Sequence, residues 1–105
     1  MHLSQKDTYQ VNTGEYLIQY TIQKNFYSNG TKENVYEYGI ECTLTNSQGE
    51  ALSEEQIRYI SPNYHHVAEI VQILKKYEVF PAHLKEILVD ILNMTPTEKA
   101  NLLSV

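Results

Sequence analysis

Residues 61–92, SPNYHHVAEIVQILKKYEVFPAHLKEILVDIL, decide how the rest of the chain is read. Val67, Ile70, Val71, Leu74 and Tyr77 recur at the three–four spacing of one helix face. Ser61 followed by Pro62 predicts the helix start. A serine hydroxyl can accept from an orphan backbone N–H, and proline needs no donor at the first helical position. A second stripe, Leu84, Ile87, Leu88, Ile91 and Leu92, follows Pro81. Proline disfavours helical geometry in the residue before it, so the first helix should stop within residues 77–80. The connection is then Glu78-Val79-Phe80, short enough for a helical hairpin. Helices of this length are marginal in isolation, so both stripes must be covered by the N-terminal half.

That half alternates. Tyr16, Ile18, Tyr20 and Ile22 share one face of a strand whose other face carries Gln19, Thr21 and Gln23. Tyr36, Tyr38, Ile40, Cys42 and Leu44 repeat the pattern opposite Glu37, Gly39, Glu41 and Thr43. The turn chemistry between them selects a register. A two-residue Asn29-Gly30 loop would set Ile18 opposite Glu41. A three-residue Ser28-Asn29-Gly30 loop pairs Tyr27 with Thr31, Ile22 with Tyr36, Tyr20 with Tyr38, Ile18 with Ile40 and Tyr16 with Cys42. The second keeps apolar residues together and is the expectation. Residues 46–50 read as another turn, and residues 56–60 as a short third strand, although Ser53-Glu54-Glu55-Gln56 could equally start a helical turn. Residues 1–13 are polar, with at most an edge segment around Tyr9 to Val11. Thr95-Pro96-Thr97-Glu98 matches a capping box, predicting a third helix over residues 96–103.

The expected architecture is a two-layer α+β domain: an antiparallel meander of two or three strands, covered on one face by a helical hairpin plus a short C-terminal helix. Residues 1–105 form one domain, with a flexible segment at 1–13, a β-rich half at 15–60 and a helical half at 61–105.

Composition narrows the functions. Cys42 is the one cysteine, so no internal disulfide forms. With a polar N-terminus, this predicts a reducing cytoplasm. No apolar run approaches the ~20 residues that span a bilayer. Net charge is −5, and residues 1–60 carry 4 basic against 8 acidic residues. Without a basic cluster to meet phosphates, the chain is not expected to bind nucleic acid. Helix–turn–helix also suggests DNA reading, but Lys85 is the only basic residue of the second helix, beside Glu86 and Asp90.

Four groups could carry chemistry, and each has a plainer explanation. His65 and Glu69 stand one helical turn apart, but two ligands do not make a metal site, and His65-His66 read as solvated. His83 with Glu86 and Asp90 could do general-base work. Without a nucleophile or oxyanion motif nearby, a surface hydrogen bond explains it equally. Cys42 on an apolar strand face reads as a buried structural thiol. The nine tyrosines are the compositional peculiarity. Tyr16, Tyr20, Tyr36 and Tyr38 read as core with hydroxyls at the rim, or as a partly uncovered patch for a partner protein. Ile73 and Val89 stand off their stripes, facing the third helix or a second copy of the chain.

Tyr38-Gly39-Ile40-Glu41, the Ile60-Ser61 helix entry, Val79-Phe80-Pro81-Ala82-His83-Leu84 and Asp90-Ile91-Leu92 resemble a family of small uncharacterised proteins from Gram-positive bacteria. The resemblance spans about residues 16–92 and leaves out the N-terminus and residues 95–105. It implies a bacterial cytoplasmic protein and no mechanism. A structural role at the helix start would explain His83.

The expected function is a small non-enzymatic domain working through contact with a protein partner or with itself, without cofactor, metal, nucleic acid or membrane. The alternatives are a small enzyme or metal-dependent protein using His83 with Glu86 or Asp90, and a small-ligand binder on a tyrosine-lined sheet.

Overall fold

The computed structural model describes residues 7–28, 30 and 34–104. Four antiparallel strands run in sheet order as they do in sequence: β1 (Asp7–Asn12), β2 (Tyr16–Ser28), β3 (Asn34–Asn46) and β4 (Ala51–Ser61). Helices α1 (Tyr64–Lys76), α2 (Leu84–Leu92) and α3 (Pro96–Ser104) follow, with a 3-10 turn at Pro81–His83 leading into α2. The α+β class and the helical cover stand, but the sheet has four strands where two or three were expected. The segment around Tyr9 to Val11 is a full edge strand, with Tyr9 opposite Tyr20 and Val11 opposite Ile18. The third-strand reading of residues 56–60 undershot β4. The consecutive Glu54-Glu55 hid its alternation, and an irregularity between the Ile40 and Tyr38 pairings breaks its period.

The register of the central hairpin also differs. Ile22 faces Ile40, Tyr20 faces Cys42, Ile18 faces Leu44 and Tyr16 faces Asn46. This is a slip of four residues from the expected pairing, and an even slip leaves every side chain on its predicted face. The three-residue loop would have set Leu44 opposite Gly14, beyond the end of β2. The observed register pairs both 13-residue strands along their whole length. Thr31, the expected partner of Tyr27, lies outside the described residues; Tyr27 pairs with Val35 instead. Residues 1–6 of the expected flexible segment also lie outside them.

One contiguous core joins the sheet to the helices. Ile18, Tyr20, Ile40 and Cys42 from the sheet meet Val67, Ile70, Val71 and Leu74 of α1 and Leu84 and Ile91 of α2, all fully buried or nearly so. These are the residues of the two sequence patterns, and removing their apolar surface from water drives the layers together.

The start of α1 corrects the sequence expectation. Asn63 is the cap, its Oδ1 accepting from the N–H groups of His65 (2.9 Å) and His66 (3.3 Å). Pro62 therefore precedes the cap, and Ser61 Oγ accepts from Asn63 N at 3.1 Å. Both residue types cap well, but only Asn63 has its oxygen over the first turn. The third helix matches its signature: Thr95 Oγ1 accepts from Glu98 N and Glu98 Oε1 from Thr95 N.

The end of α1 locks the two layers. Glu78 has left-handed backbone (φ 51), while Val79 N–H donates to Leu74 O (3.0 Å) and Glu78 N–H to Lys75 O (3.2 Å). These two bonds define a Schellman motif, a helix ending that usually takes glycine at the left-handed position. Tyr20, fully buried, directs its hydroxyl into this turn, 2.7 Å from Val79 O and 3.1 Å from Leu74 O. A strand side chain thus supplies a donor to the Val79 carbonyl just past the helix end, and a second one to the Leu74 carbonyl, which already accepts the Schellman bond.

Candidate protein-contact surface

Beyond the helices, the β2–β3 ribbon outruns its neighbours. Among the described residues, β1 pairs with β2 as far as Ile22, and β4 pairs with β3 as far as Tyr38. Residues 24–28 and 34–37 pair, among the described residues, only with each other, and this part of the ribbon forms an arm. A two-stranded ribbon buries little of its side chains, and this one carries large aromatics.

On the helix side of the arm, rings stack edge to face in a chain: Phe26 on Tyr36 (5.9 Å), Tyr36 on Tyr38 (5.6 Å) and Tyr38 on Tyr64 at the start of α1 (5.4 Å). Lys24 Nζ lies 4.2 Å from the Tyr36 ring centroid, within cation–π range. On the other side Tyr27 meets Tyr59 at 5.1 Å and donates its hydroxyl to Glu37 (3.1 Å). That hydrogen bond holds the Tyr27 phenol above its ordinary pKa. Phe26 is 58% exposed, and Tyr27, Tyr36 and Tyr59 are also exposed. Edge-to-face contacts hold the rings in place and leave faces open to solvent.

The residues expected to form a contact patch do not form one. Tyr36 lies in the aromatic arm and Tyr38 at its base, while Tyr16 is half-buried against Phe80 at 5.6 Å. Tyr20 is in the core, and Ile73 is 2% exposed, lining an apolar groove with Leu102 of α3. Val89 is exposed on α2, remote in sequence and element from the arm. Phe26, Tyr27 and Tyr59 were missed as surface residues. The signal available is the Phe26-Tyr27 pair near the end of the alternating run, but alternation does not say how far the helical layer reaches along the ribbon.

The polar candidates are separate surface features. His83 Nδ1 is 2.8 Å from Glu86 Oε1, both side chains about two-thirds exposed, and Asp90 is exposed one turn further along α2. An exposed pair of this kind has no enclosed volume in which a substrate would lose water. Glu69 faces Lys99 of α3 at 3.8 Å, while His65 is exposed with its ring against Tyr64. His66 is half-buried and also sits in the first turn of α1. Among the described residues, no group of three or more His, Cys, Asp or Glu side chains is arranged to hold a metal ion. Lys85 reaches back to Glu55 of β4 at 2.9 Å. Cys42 is fully buried, its thiol pushed up to about 12 by desolvation, with Sγ 3.9 Å from Val79 O. No helix among the described residues is long and apolar enough to cross a membrane.

Residues 1–94 match the model of a family of unknown function, DUF6514, and the chain belongs to that family. The match takes in the polar N-terminus, which the motif resemblance left out, and ends two residues before α3 begins. No curated protein and no solved structure matches the chain.

Proposed function

We propose that this member of the DUF6514 family is a non-enzymatic adaptor or regulatory domain that works by binding another protein through the aromatic arm. The carrying observation is the set of exposed rings: Phe26, Tyr27 and Tyr36 on the ribbon, with Tyr59 of β4 against Tyr27. Tyrosine and phenylalanine are favoured at the centre of protein interfaces, because they bury large area with few torsions to freeze. Lys24 and Glu37 supply charged groups beside the rings. In this reading the protein is bacterial, from a Gram-positive cell, and works in the reducing cytoplasm, where a lone buried thiol is stable. It takes no cofactor and contacts neither nucleic acid nor membrane.

The test compares capture by the wild-type protein with capture by the Phe26→Ala/Tyr36→Ala variant, from lysate of a bacterium that encodes it. Both substitutions are outside the core, so circular dichroism and thermal melting should be nearly unchanged. A protein retained by the wild type and lost by the variant is the expected result. Identical protein profiles on the two folded baits would end the proposal.

A further inference from the structure

The end of α1 and the length of α2 are the walls of an apolar groove. Ile73 and Tyr77 stand on one side, and Ile87, Ile91 and Met94 on the other. From α3 the groove receives one side chain, Leu102. Leu102 is half-buried, Leu103 beside it is exposed, and no residue of α3 is buried. A helix that seats well in a groove buries a stripe of residues at three–four spacing, so α3 fills this one poorly. The polar groups at the rim are specific. Lys76 Nζ and the Tyr77 hydroxyl both donate to Leu102 O, at 2.7 and 3.0 Å. A carbonyl in the last turn of a helix lacks an intrahelical partner, so this pair of donors suits the C-terminal turn of any helix laid there. Lys99 of α3 lies 3.8 Å from Glu69. Asp90, on the α2 wall, has no ion pair among the described residues, and α3 carries no second basic residue to give it one.

We propose that this groove is a docking site for a basic amphipathic helix of another protein, and that α3 is its built-in, displaceable occupant. The incoming helix places apolar residues at three–four spacing against Ile73, Ile87 and Ile91. Its basic residues meet Glu69 and Asp90, and its last turn takes the donors of Lys76 and Tyr77. Each contact that holds α3 is thus repeated, and the incoming helix gains two more: the apolar stripe that α3 lacks and the Asp90 carboxylate. The net charge of −5 also favours encounter with a basic partner. Because α3 must leave first, the groove's apparent affinity is set by the fraction of molecules with α3 detached. The groove shares no residue with the aromatic arm, so either reading can fail without the other.

The probe is a synthetic peptide of about 14 leucines and lysines, with the leucines at three–four spacing. It is titrated into the full-length protein and followed by calorimetry. Wild type should bind one peptide. Leu102→Asp detaches α3, and binding should tighten by roughly fivefold or more. Asp90→Lys should weaken it by roughly fivefold or more. Glu54→Lys makes the same change in net charge on the sheet face away from the helices and should leave it unchanged, as should Phe26→Ala/Tyr36→Ala in the arm. Circular dichroism checks each fold; if Leu102→Asp does not fold, the comparison of Asp90→Lys with Glu54→Lys decides. No binding to wild type or to folded Leu102→Asp would overturn the proposal. So would equal affinity for wild type, Leu102→Asp and Asp90→Lys, or an equal loss in Asp90→Lys and Glu54→Lys. Self-association of Leu102→Asp in place of peptide binding, read by light scattering, would assign the groove to a second copy of the chain and overturn it too.

Discussion

Gly39 shows why a single residue type is required at one place. A β-carbon built there would lie 2.2 Å from Ile57 O and 2.3 Å from Arg58 O, both main-chain atoms of the neighbouring strand. β4 crosses close over this point where its pairing shifts, and Asn25 Nδ2 donates to Arg58 O at 2.9 Å across the same spot. No side chain can rotate away to make room. Gly39→Ala should therefore destabilise by about 3 kcal/mol, the upper end of overpacking costs, measured by urea unfolding. A loss too small to resolve would mean that β4 does not pass so close. The buried acids make a second prediction at this scale. Burial pushes the Cys42 thiol up to about 12 from an ordinary 9.0, and raises the Tyr20 phenol as well. In the unfolded chain these groups ionise first, so their contribution is complete below about pH 9 and is lost as pH rises. The decline should approach roughly 1.4 kcal/mol per pH unit for each group. Urea midpoints from pH 7 to 11 read it directly, and a flat profile through pH 11 would contradict the burial of both groups.

At the scale of elements, the ending of α1 is built on a residue poorly suited to it. Glu78 takes the left-handed position of the Schellman motif, which costs an L-residue about 1–2 kcal/mol. Its carboxylate also stands at the negative end of the helix. Glu78→Gly relieves both terms, and the greater freedom of glycine in the unfolded chain offsets part of the gain. The net expectation is a stabilisation of roughly 0.5–1 kcal/mol, visible as a rise in melting temperature; a fall would show that the Glu78 side chain has a structural role of its own. The third helix is attached lightly. It buries no residue fully and is held by Leu102, by Lys76 Nζ and the Tyr77 hydroxyl on Leu102 O, and by Lys99 beside Glu69. Truncation after Met94 should leave a cooperatively folding domain with about 1–2 kcal/mol less stability, by chemical denaturation. Loss of the cooperative transition would mean that α3 is integral to the core.

For the whole molecule, legibility followed periodicity. The faces of β2 and β3 were readable because alternation fixes which residues point to the core, yet a slip of four residues preserves those faces, so the pattern could not fix the register. The two helical stripes and the Thr95–Glu98 capping box were readable because each is local. The choice between Ser61 and Asn63 as cap was not, since both are good caps and only backbone geometry separates them. The aromatic arm was the least legible feature. Tyr36 and Tyr38 stand out by composition, but Tyr20 shares their alternation and is buried, and what separates it is its place beneath the end of α1. The central claim is that the even-numbered face of the β2–β3 hairpin closes against the end of α1 with Tyr20 at its centre. Nuclear Overhauser contacts from the Tyr20 ring test this most directly. The account predicts contacts to Leu74 and Val79, with Tyr20 and Cys42 α-protons in cross-strand register. Contacts aligning Tyr20 with Tyr38, or none from its ring to the end of α1, would contradict it.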